Sequence, residues 1–241
     1  MWCSQFFPVT RKLLHELKYL FKTEQGRPFV FPSSGTGAWE AALTNTLSPG
    51  DKVVAFRYGQ FSHLWVDMAQ RMGLDVEVLN ERWGRAADEE RLKKVLKDDT
   101  QGKIKAVLVV HNETATGVTA DIKQCRDAMD EAKSNALLMV DGVSSIGACE
   151  FKFDDWNVDL AITGSQKALS LPTGLGIVCA SEKALEWRKS AKLPRCYFSF
   201  DDMMTMNDKG TWPYTPSVRF TSLICCCLQP CILTTNQSLN T

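Results

Sequence analysis

Short apolar runs alternate with longer amphipathic stretches along most of the chain, from about residue 28 to residue 190. The short β-branched runs predict buried strands, and the longer stretches of helical period predict helices. Their alternation indicates repeated βαβ units, so the fold class is α/β, with a mostly parallel sheet flanked by helices. The predicted strands are 29–31, 52–56, 75–79, 105–110, 136–140, 160–163 and 176–179, and the predicted helices are 38–47, 62–72, 88–96 and 121–133.

The two ends differ from this middle part. Residues 1–20 predict a separate helix or arm, residues 21–217 form the predicted large domain, and residues 218–241 have no clear period. The last segment contains Cys225, Cys226, Cys227 and Cys231. Four close thiols allow zinc binding or lipid attachment, but no histidine or second cysteine pair at ligand spacing favours zinc.

Charge and hydropathy exclude several classes of protein. Lysine plus arginine (28) balances aspartate plus glutamate (28), and no basic run is dense enough to follow a phosphate backbone. We therefore expect no nucleic-acid partner. No apolar stretch reaches the roughly 18 residues of a membrane span, and the first ten residues lack the pattern of a signal peptide. The sequence predicts a soluble, intracellular protein that does not bind membranes.

Ligands of α/β sheets bind beyond the carboxyl ends of the strands, so the residues that follow each apolar run carry the functional information. The first such segment, Ser-Ser-Gly-Thr-Gly at 33–37, precedes a predicted helix. Small residues and backbone N–H groups at a helix start suit a phosphate group, although an ordinary capped turn fits equally well. A dinucleotide site is a weaker alternative, because the complete glycine fingerprint and the Walker lysine are missing.

Two polar segments follow the next central strands. In the first, 111–117, the hydroxyl of Thr114 is placed to bond a ligand, while a hydrogen-bonded loop is the plain alternative. We interpret His111 as a structural residue or ring neighbour rather than a base. In the second, Asp141 ends an apolar run, and a buried carboxylate there needs a donor or cationic partner.

Lys167 follows another apolar run, within Thr-Gly-Ser-Gln-Lys at 163–167. A lysine among small and apolar residues loses its proton more readily and can attack a carbonyl group. A surface lysine in a loop is the alternative. The order of groups along the chain argues against that alternative. A predicted phosphate site comes first, then a carboxylate, and then this lysine.

Taken together, these segments resemble class V aminotransferases of fold type I, especially those that transfer amino groups to glyoxylate. The resemblance covers residues 21–217, and it is carried by residues 35–40, 43–51, 111–118, 140–145 and 164–181. It implies that residues 21–217 are a large domain that binds pyridoxal phosphate.

The resemblance also assigns roles to single residues. Lys167 would form the Schiff base with pyridoxal phosphate, and Asp141 would pair with the pyridine nitrogen. Thr114 would bond the ring hydroxyl, and the ring of Phe61 would stack on the cofactor face. Phosphate would be held by Ser34, Gly35, Thr36 and Gln166.

A further implied role concerns the neighbouring subunit. Thr215 matches a family residue that reaches the phosphate of the partner, which implies a homodimer. The implied substrates are amino acids and 2-oxo acids. Serine or alanine would donate the amino group and glyoxylate would become glycine, in peroxisomal photorespiration. A cysteine desulfurase is the less favoured relative, since neither a mobile nucleophilic cysteine nor a histidine over the ring is evident.

The two ends of the chain depart from the family pattern. Residues 1–20 do not match the family's first segment, and residues 218–241 stand where the family has a small domain with a substrate-binding arginine. The chain also does not end in a peroxisomal targeting tripeptide, which leaves a cytoplasmic location open. The alternative function is therefore a catalytically impaired, truncated subunit that keeps only cofactor binding or dimerisation.

Overall fold

The structure, a computed structural model, describes residues 6–217 and residue 222. Its helices are α1 Phe6–Phe21, α2 Gly35–Thr46, α3 Gln60–Arg71, α4 Glu89–Asp98, α5 Ile122–Glu131, α6 Glu182–Trp187 and α7 Phe200–Asn207. Its strands are β1 Arg27–Pro32, β2 Lys52–Arg57, β3 Asp75–Asn80, β4 Ile104–Val110, β5 Asn112–Glu113, β6 Val118–Thr119, β7 Leu137–Asp141, β8 Leu160–Gly164 and β9 Leu175–Ala180.

Seven strands form one sheet in the order β1-β9-β8-β7-β4-β2-β3. The neighbours from β8 to β3 are parallel, whereas β9 is antiparallel to both β8 and β1. Among the strands described in this sheet, β9 alone therefore runs in the opposite direction. The expected α/β class and mostly parallel sheet are confirmed.

The core lies around the central strands. Every residue of β7, β8 and β9 is buried, as expected for a sheet covered on both faces. Helix α2 packs on β8 and β9, α3 packs on β2 and β3, and α4 packs on α5. The predicted helix start at Asp121 is also confirmed, because its carboxylate accepts a hydrogen bond from Gln124 N–H at 2.9 Å and caps α5.

Helix α1 is integrated into this core. Leu13, Leu17 and Phe21 are spaced four residues apart on one helical face, and none of them is exposed to solvent. The helix packs on β1, and Thr10 accepts a hydrogen bond from the indole N–H of Trp212 at 2.9 Å. The domain boundary between residues 20 and 21 stays a prediction, but this helix shares the core of residues 21–217.

Some elements were not predicted. Helices α6 and α7 have 6 and 8 residues, too short for a clear apolar period. The β5–β6 hairpin pairs two residues with two and is rich in polar side chains. The cysteine-rich segment lies outside the described residues apart from residue 222. Among the helices that are described, none is long and apolar enough to cross a membrane.

The burial of α1 predicts a stability effect. Replacing Leu17 by alanine leaves a cavity beside the sheet, so we expect the free energy of unfolding to fall by about 2–5 kcal/mol. Replacing the exposed Arg11 on the same helix should change it by less than about 0.5 kcal/mol. Urea denaturation of both variants measures this. Equal stability of the two variants would contradict the packing of α1 on the domain.

Candidate active site

A small pocket lies beyond the carboxyl ends of the parallel strands. Asp141 is the last residue of β7, and Lys167 lies in the turn that follows β8. Helices α2 and α3 begin just after β1 and β2, at the same edge of the sheet. We call this the Asp141 pocket, and it is lined by Gly35, Thr36, Trp39, Phe61, Asn112, Thr114, Asp141, Val143, Ser144, Gln166 and Lys167.

The carboxyl group of Asp141 is almost completely buried, with 4% of the residue exposed. Val143 N–H donates to its Oδ1 at 2.8 Å, and no ion pair of Asp141 is present in the described part of the chain. Burial raises the pKa of this carboxyl to about 7, against the opposing effect of Val143 N–H, and the charge of Glu113 raises it further. Asp141 is thus a buried acid with one oxygen left to a ligand.

Lys167 lies in a hydrogen-bonded loop, residues 165–174, between β8 and β9. Ser165 Oγ donates to the carbonyl of Pro172 at 2.8 Å and accepts from Leu175 N–H at 3.1 Å. The carbonyl of Lys167 accepts from Ser170 N–H at 2.9 Å. Lys167 lines the pocket, and its charge lowers the pKa of Asp141, but it is exposed. The apolar enclosure expected around this lysine is therefore absent from the described residues.

The start of α2 forms an anion site on one side of the pocket. Ser34 is the N-cap residue, but its side chain makes no capping hydrogen bond. The first amides of a helix have no acceptor within the helix and point at any ligand placed there. A Cβ added at Gly164 would lie 2.6 Å from Gln166 Oε1 and 3.4 Å from Gly35 N, so glycine keeps this space open.

Gln166 adds an unused polar group to this anion site. Its Oε1 is buried and has no hydrogen-bond partner among the described residues. The side-chain amide of Gln166 lies beside the unbonded backbone N–H groups at the start of α2. Both line the Asp141 pocket. A group that can accept and donate hydrogen bonds there, such as a phosphate with its bound water, would satisfy both.

The remaining predicted residues divide into two groups. Phe61 on α3 and Thr114 on the β5–β6 hairpin both line the Asp141 pocket. Thr215 is exposed and does not line it. His111 is also outside the lining, and its ring lies 5.7 Å from that of Trp156. Burial lowers the pKa of His111 to about 4, so its imidazole is neutral near pH 7.

Sequence reasoning gave no role to four lining residues, Trp39, Asn112, Val143 and Ser144. Trp39 lies three residues after Thr36 on α2, so helical spacing alone places both on one face. The indole N–H of Trp39 lowers the pKa of Asp141, although it forms no well-aligned hydrogen bond in the described part of the chain. Asn112 and Ser144 are joined by two hydrogen bonds across the loops that follow β4 and β7.

A larger groove, with a volume of about 460 Å³, lies between the end of α1 and residues 147–152. It contains Leu20, Phe151 and Leu169 but neither Asp141 nor the start of α2. Volume alone does not make it the site. The Asp141 pocket instead combines a buried acid, an amine and an anion site, which is the combination that chemistry needs.

The comparison with protein families decides between an aminotransferase and a dinucleotide-binding protein. Residues 6–206 match the model of the aminotransferase class-V family. The chain belongs to the class V aminotransferases. This membership implies pyridoxal phosphate, which carries a pyridine nitrogen, a phosphate and an aldehyde. Asp141, the start of α2 with Gln166, and Lys167 supply one suitable group for each, so the residues present fit the cofactor.

Relatives and solved structures agree with the family. The chain is 55% identical to a serine–glyoxylate aminotransferase of Arabidopsis thaliana over 88% of its own length and 53% of the relative's. It is 52% identical to an L-aspartate–glyoxylate aminotransferase of Paracoccus denitrificans, covering 88% of this chain and 54% of that one. The chain thus spans about half the length of these relatives.

The fold also matches experimental structures of the same type. An aspartate aminotransferase from Thermus thermophilus superposes with a TM-score of 0.86 at 30% identity, over 95% of this chain and 62% of that one. An alanine–glyoxylate aminotransferase from Nostoc sp. gives a TM-score of 0.86 at 27% identity, over 94% of this chain and 60% of that one. The large domain therefore has the fold of type I aminotransferases.

The raised pKa of Asp141 predicts a pH dependence of stability in the cofactor-free chain. Its pKa is about 7 in the folded state and about 3.9 in the unfolded state. The folded state therefore binds more protons between these values, and the contribution of Asp141 to stability falls as pH rises from about 4 to 7. Asp141→Asn has no carboxyl group to titrate. The free energy of unfolding of the variant should therefore rise relative to that of the native chain as the pH increases from about 4 to 7.

Urea denaturation at pH steps from about 4.5 to 8 measures this difference. Asp155→Asn, which removes an exposed carboxylate that does not line the Asp141 pocket, is the matched control. Parallel stability curves for Asp141→Asn and the native chain would contradict a pKa near 7.

Proposed function

We propose that this chain forms the cofactor-binding part of a pyridoxal-phosphate aminotransferase that converts glyoxylate to glycine, with serine or alanine as amino donor. The observation that carries the proposal is that Asp141 and Lys167 line one pocket beside the start of α2. The names of the relatives support glyoxylate as the acceptor, since serine–glyoxylate and aspartate–glyoxylate aminotransferases share it. Photorespiration and a peroxisomal location are proposed from the resemblance alone.

Four residues of the pocket have proposed roles toward the cofactor ring and the substrate. When bound, pyridoxal phosphate supplies an aldehyde that condenses with amines and a ring that draws electrons from the substrate. The carboxylate of Asp141 would hold a proton on the ring nitrogen, which keeps that ring electron-withdrawing. Lys167 Nζ would take the proton from the substrate Cα and return it during transfer. Thr114 would bind the ring hydroxyl, and Phe61 would cover one ring face and exclude water.

The phosphate is assigned to the start of α2. Backbone amides there carry partial positive charge and need no lysine to bind an anion. The residues proposed to hold the phosphate are Ser34, Gly35, Thr36 and Gln166. We also propose a homodimer in which the exposed Thr215 reaches the phosphate of the partner subunit.

Trapping the cofactor tests the assignment of Lys167. Borohydride reduction of the chain with added pyridoxal phosphate should fix the cofactor on Lys167, as read by intact mass and peptide mapping. Lys167→Ala should remove the trapped adduct, because no other amine lines the pocket among the described residues. The exposed Lys189, which pairs with Glu186, supplies the control variant Lys189→Ala. An unchanged adduct in Lys167→Ala would overturn the assignment.

A second candidate is an impaired subunit that binds cofactor without efficient turnover. The exposure of Lys167 favours it, because proton transfer by this amine needs a dry and ordered surrounding. An assay of glycine formation from serine and glyoxylate decides. We expect the chain to form glycine and Lys167→Ala to lose about 100-fold or more of the rate, the usual contribution of a positioned acid–base group. Cofactor trapping without any glycine would establish the impaired subunit instead.

A further inference from the structure

Glu113, on β5, is a second carboxylate at the pocket edge, and it is fully buried. It forms no ion pair within residues 6–217. Its Oε1 accepts from Phe61 N–H and Ala115 N–H, each at 3.2 Å. Its Oε2 accepts from Ser62 N–H at 2.9 Å and from Ser62 Oγ at 3.0 Å. Both oxygens only accept, as an ionised carboxylate does.

These contacts make Glu113 a cap for α3 that comes from a distant part of the chain. The first amides of α3 have no acceptor within the helix, and the positive end of the helix favours a negative charge. Glu113 satisfies two of these amides, those of Phe61 and Ser62, across a separation of more than 50 residues. The helix end in turn offsets the cost of burying the carboxylate without a cation.

Gly59, the residue before α3, shows how tightly this contact is built. A Cβ added there would lie 2.2 Å from Cγ of Glu113 and 2.4 Å from its Cδ. The φ angle of Gly59 is −179°, an extended conformation that any residue adopts. Space for Glu113, and not backbone freedom, is therefore what requires glycine at this position.

The elements that Glu113 joins carry two residues of the pocket. Phe61 on α3 and Thr114 on the hairpin both line the pocket, and the carboxylate accepts from the backbone N–H of Phe61 and of Ala115, the residue after Thr114. We propose that Glu113 is a positioning residue that fixes Phe61 relative to Thr114 and so sets the width of the pocket at the cofactor ring. The roles of Phe61 and Thr114 toward the cofactor rest on the proposed function, whereas the coupling of the two segments does not.

A second buried carboxylate, away from the pocket, is available for comparison. Asp159 has 2% of its surface exposed and accepts from Leu138 N–H at 2.9 Å and from Ser181 Oγ at 3.0 Å. It also pairs with Lys183 Nζ at 3.6 Å, and it does not line the Asp141 pocket. Both Glu113→Gln and Asp159→Asn disturb buried hydrogen bonds, Asp159→Asn also loses an ion pair, and we expect only Glu113→Gln to change the pocket.

The first measurement needs no cofactor. Glu113→Gln turns one acceptor oxygen into an NH₂ group that faces backbone N–H groups, so the contact at that oxygen becomes repulsive. We expect amide hydrogen exchange to rise about tenfold in both 59–62 and 113–116, the equivalent of about 1.4 kcal/mol. Asp159→Asn should leave both segments unchanged. Faster exchange in one segment only, or in neither, would overturn the coupling.

The second measurement is the affinity for pyridoxal phosphate, followed by the visible circular dichroism of the bound cofactor. Glu113→Gln should raise the Kd about tenfold, corresponding to about 1.4 kcal/mol, and change the dichroism of the bound ring. Asp159→Asn should keep the native Kd and spectrum even though it lowers the melting temperature. A Glu113→Gln chain that melts earlier but binds with native Kd and dichroism would reduce Glu113 to a structural residue.

A second variant tests the same contact from its other side. Gly59→Ala leaves Glu113 in the chain but forces its carboxylate away from the start of α3, so it should reproduce the exchange and affinity changes. Native behaviour of a folded Gly59→Ala chain would count against the proposal. If the native chain binds no cofactor at all, the proposed function fails, and the exchange measurements still decide whether Glu113 couples the two segments.

Discussion

The shared direction of β1, β2, β4, β7 and β8 is the constraint on which the site depends. Because these strands point the same way, their following loops all emerge at one edge of the sheet. Those loops carry the start of α2, the start of α3, the hairpin, Asp141 and Lys167. The reversed strand β9 also contributes to the site. Because β9 is antiparallel to β8, a single loop joins them, and Ser165 bonds to Leu175 across the base of the loop that carries Lys167.

Two buried carboxylates at this edge are treated differently by the fold. The two oxygens of Glu113 accept from four donors, three of them in Phe61 and Ser62 at the start of α3. Asp141 has one backbone donor, and its pKa rises to about 7. An acid left under-compensated in a pocket is a group whose partner arrives from outside. The contrast agrees with the two proposed roles, a positioning residue in Glu113 and a ligand-binding residue in Asp141.

Much of this arrangement is predictable from sequence because it follows local patterns. The apolar runs that end at Asp141 and precede Lys167 predict both strands, and the small residues at 33–37 predict the helix start. The contact between Glu113 and α3 is not predictable in this way, because it joins residues about 50 positions apart and leaves no period. The same holds for the burial of α1, whose apolar stripe shows a helix but not its docking surface. The place of Trp39 in the pocket lining needed only the helical spacing from Thr36, a signal that the sequence does contain.

The exposure of Lys167 and the burial of Asp141 bear on the same proposed ligand. A cationic ring placed against Asp141 would return its pKa toward the usual range, and the contribution of Asp141 to stability near pH 7 would rise. The same ligand would shield Lys167 from water. Under the proposed function, cofactor binding and folding would therefore be linked, because a ligand that binds only the folded chain stabilises it in proportion to the logarithm of its concentration over Kd. The proposed contacts of Phe61 and Thr114 with the ring would matter to this linkage, since they would decide how closely the ring approaches Asp141.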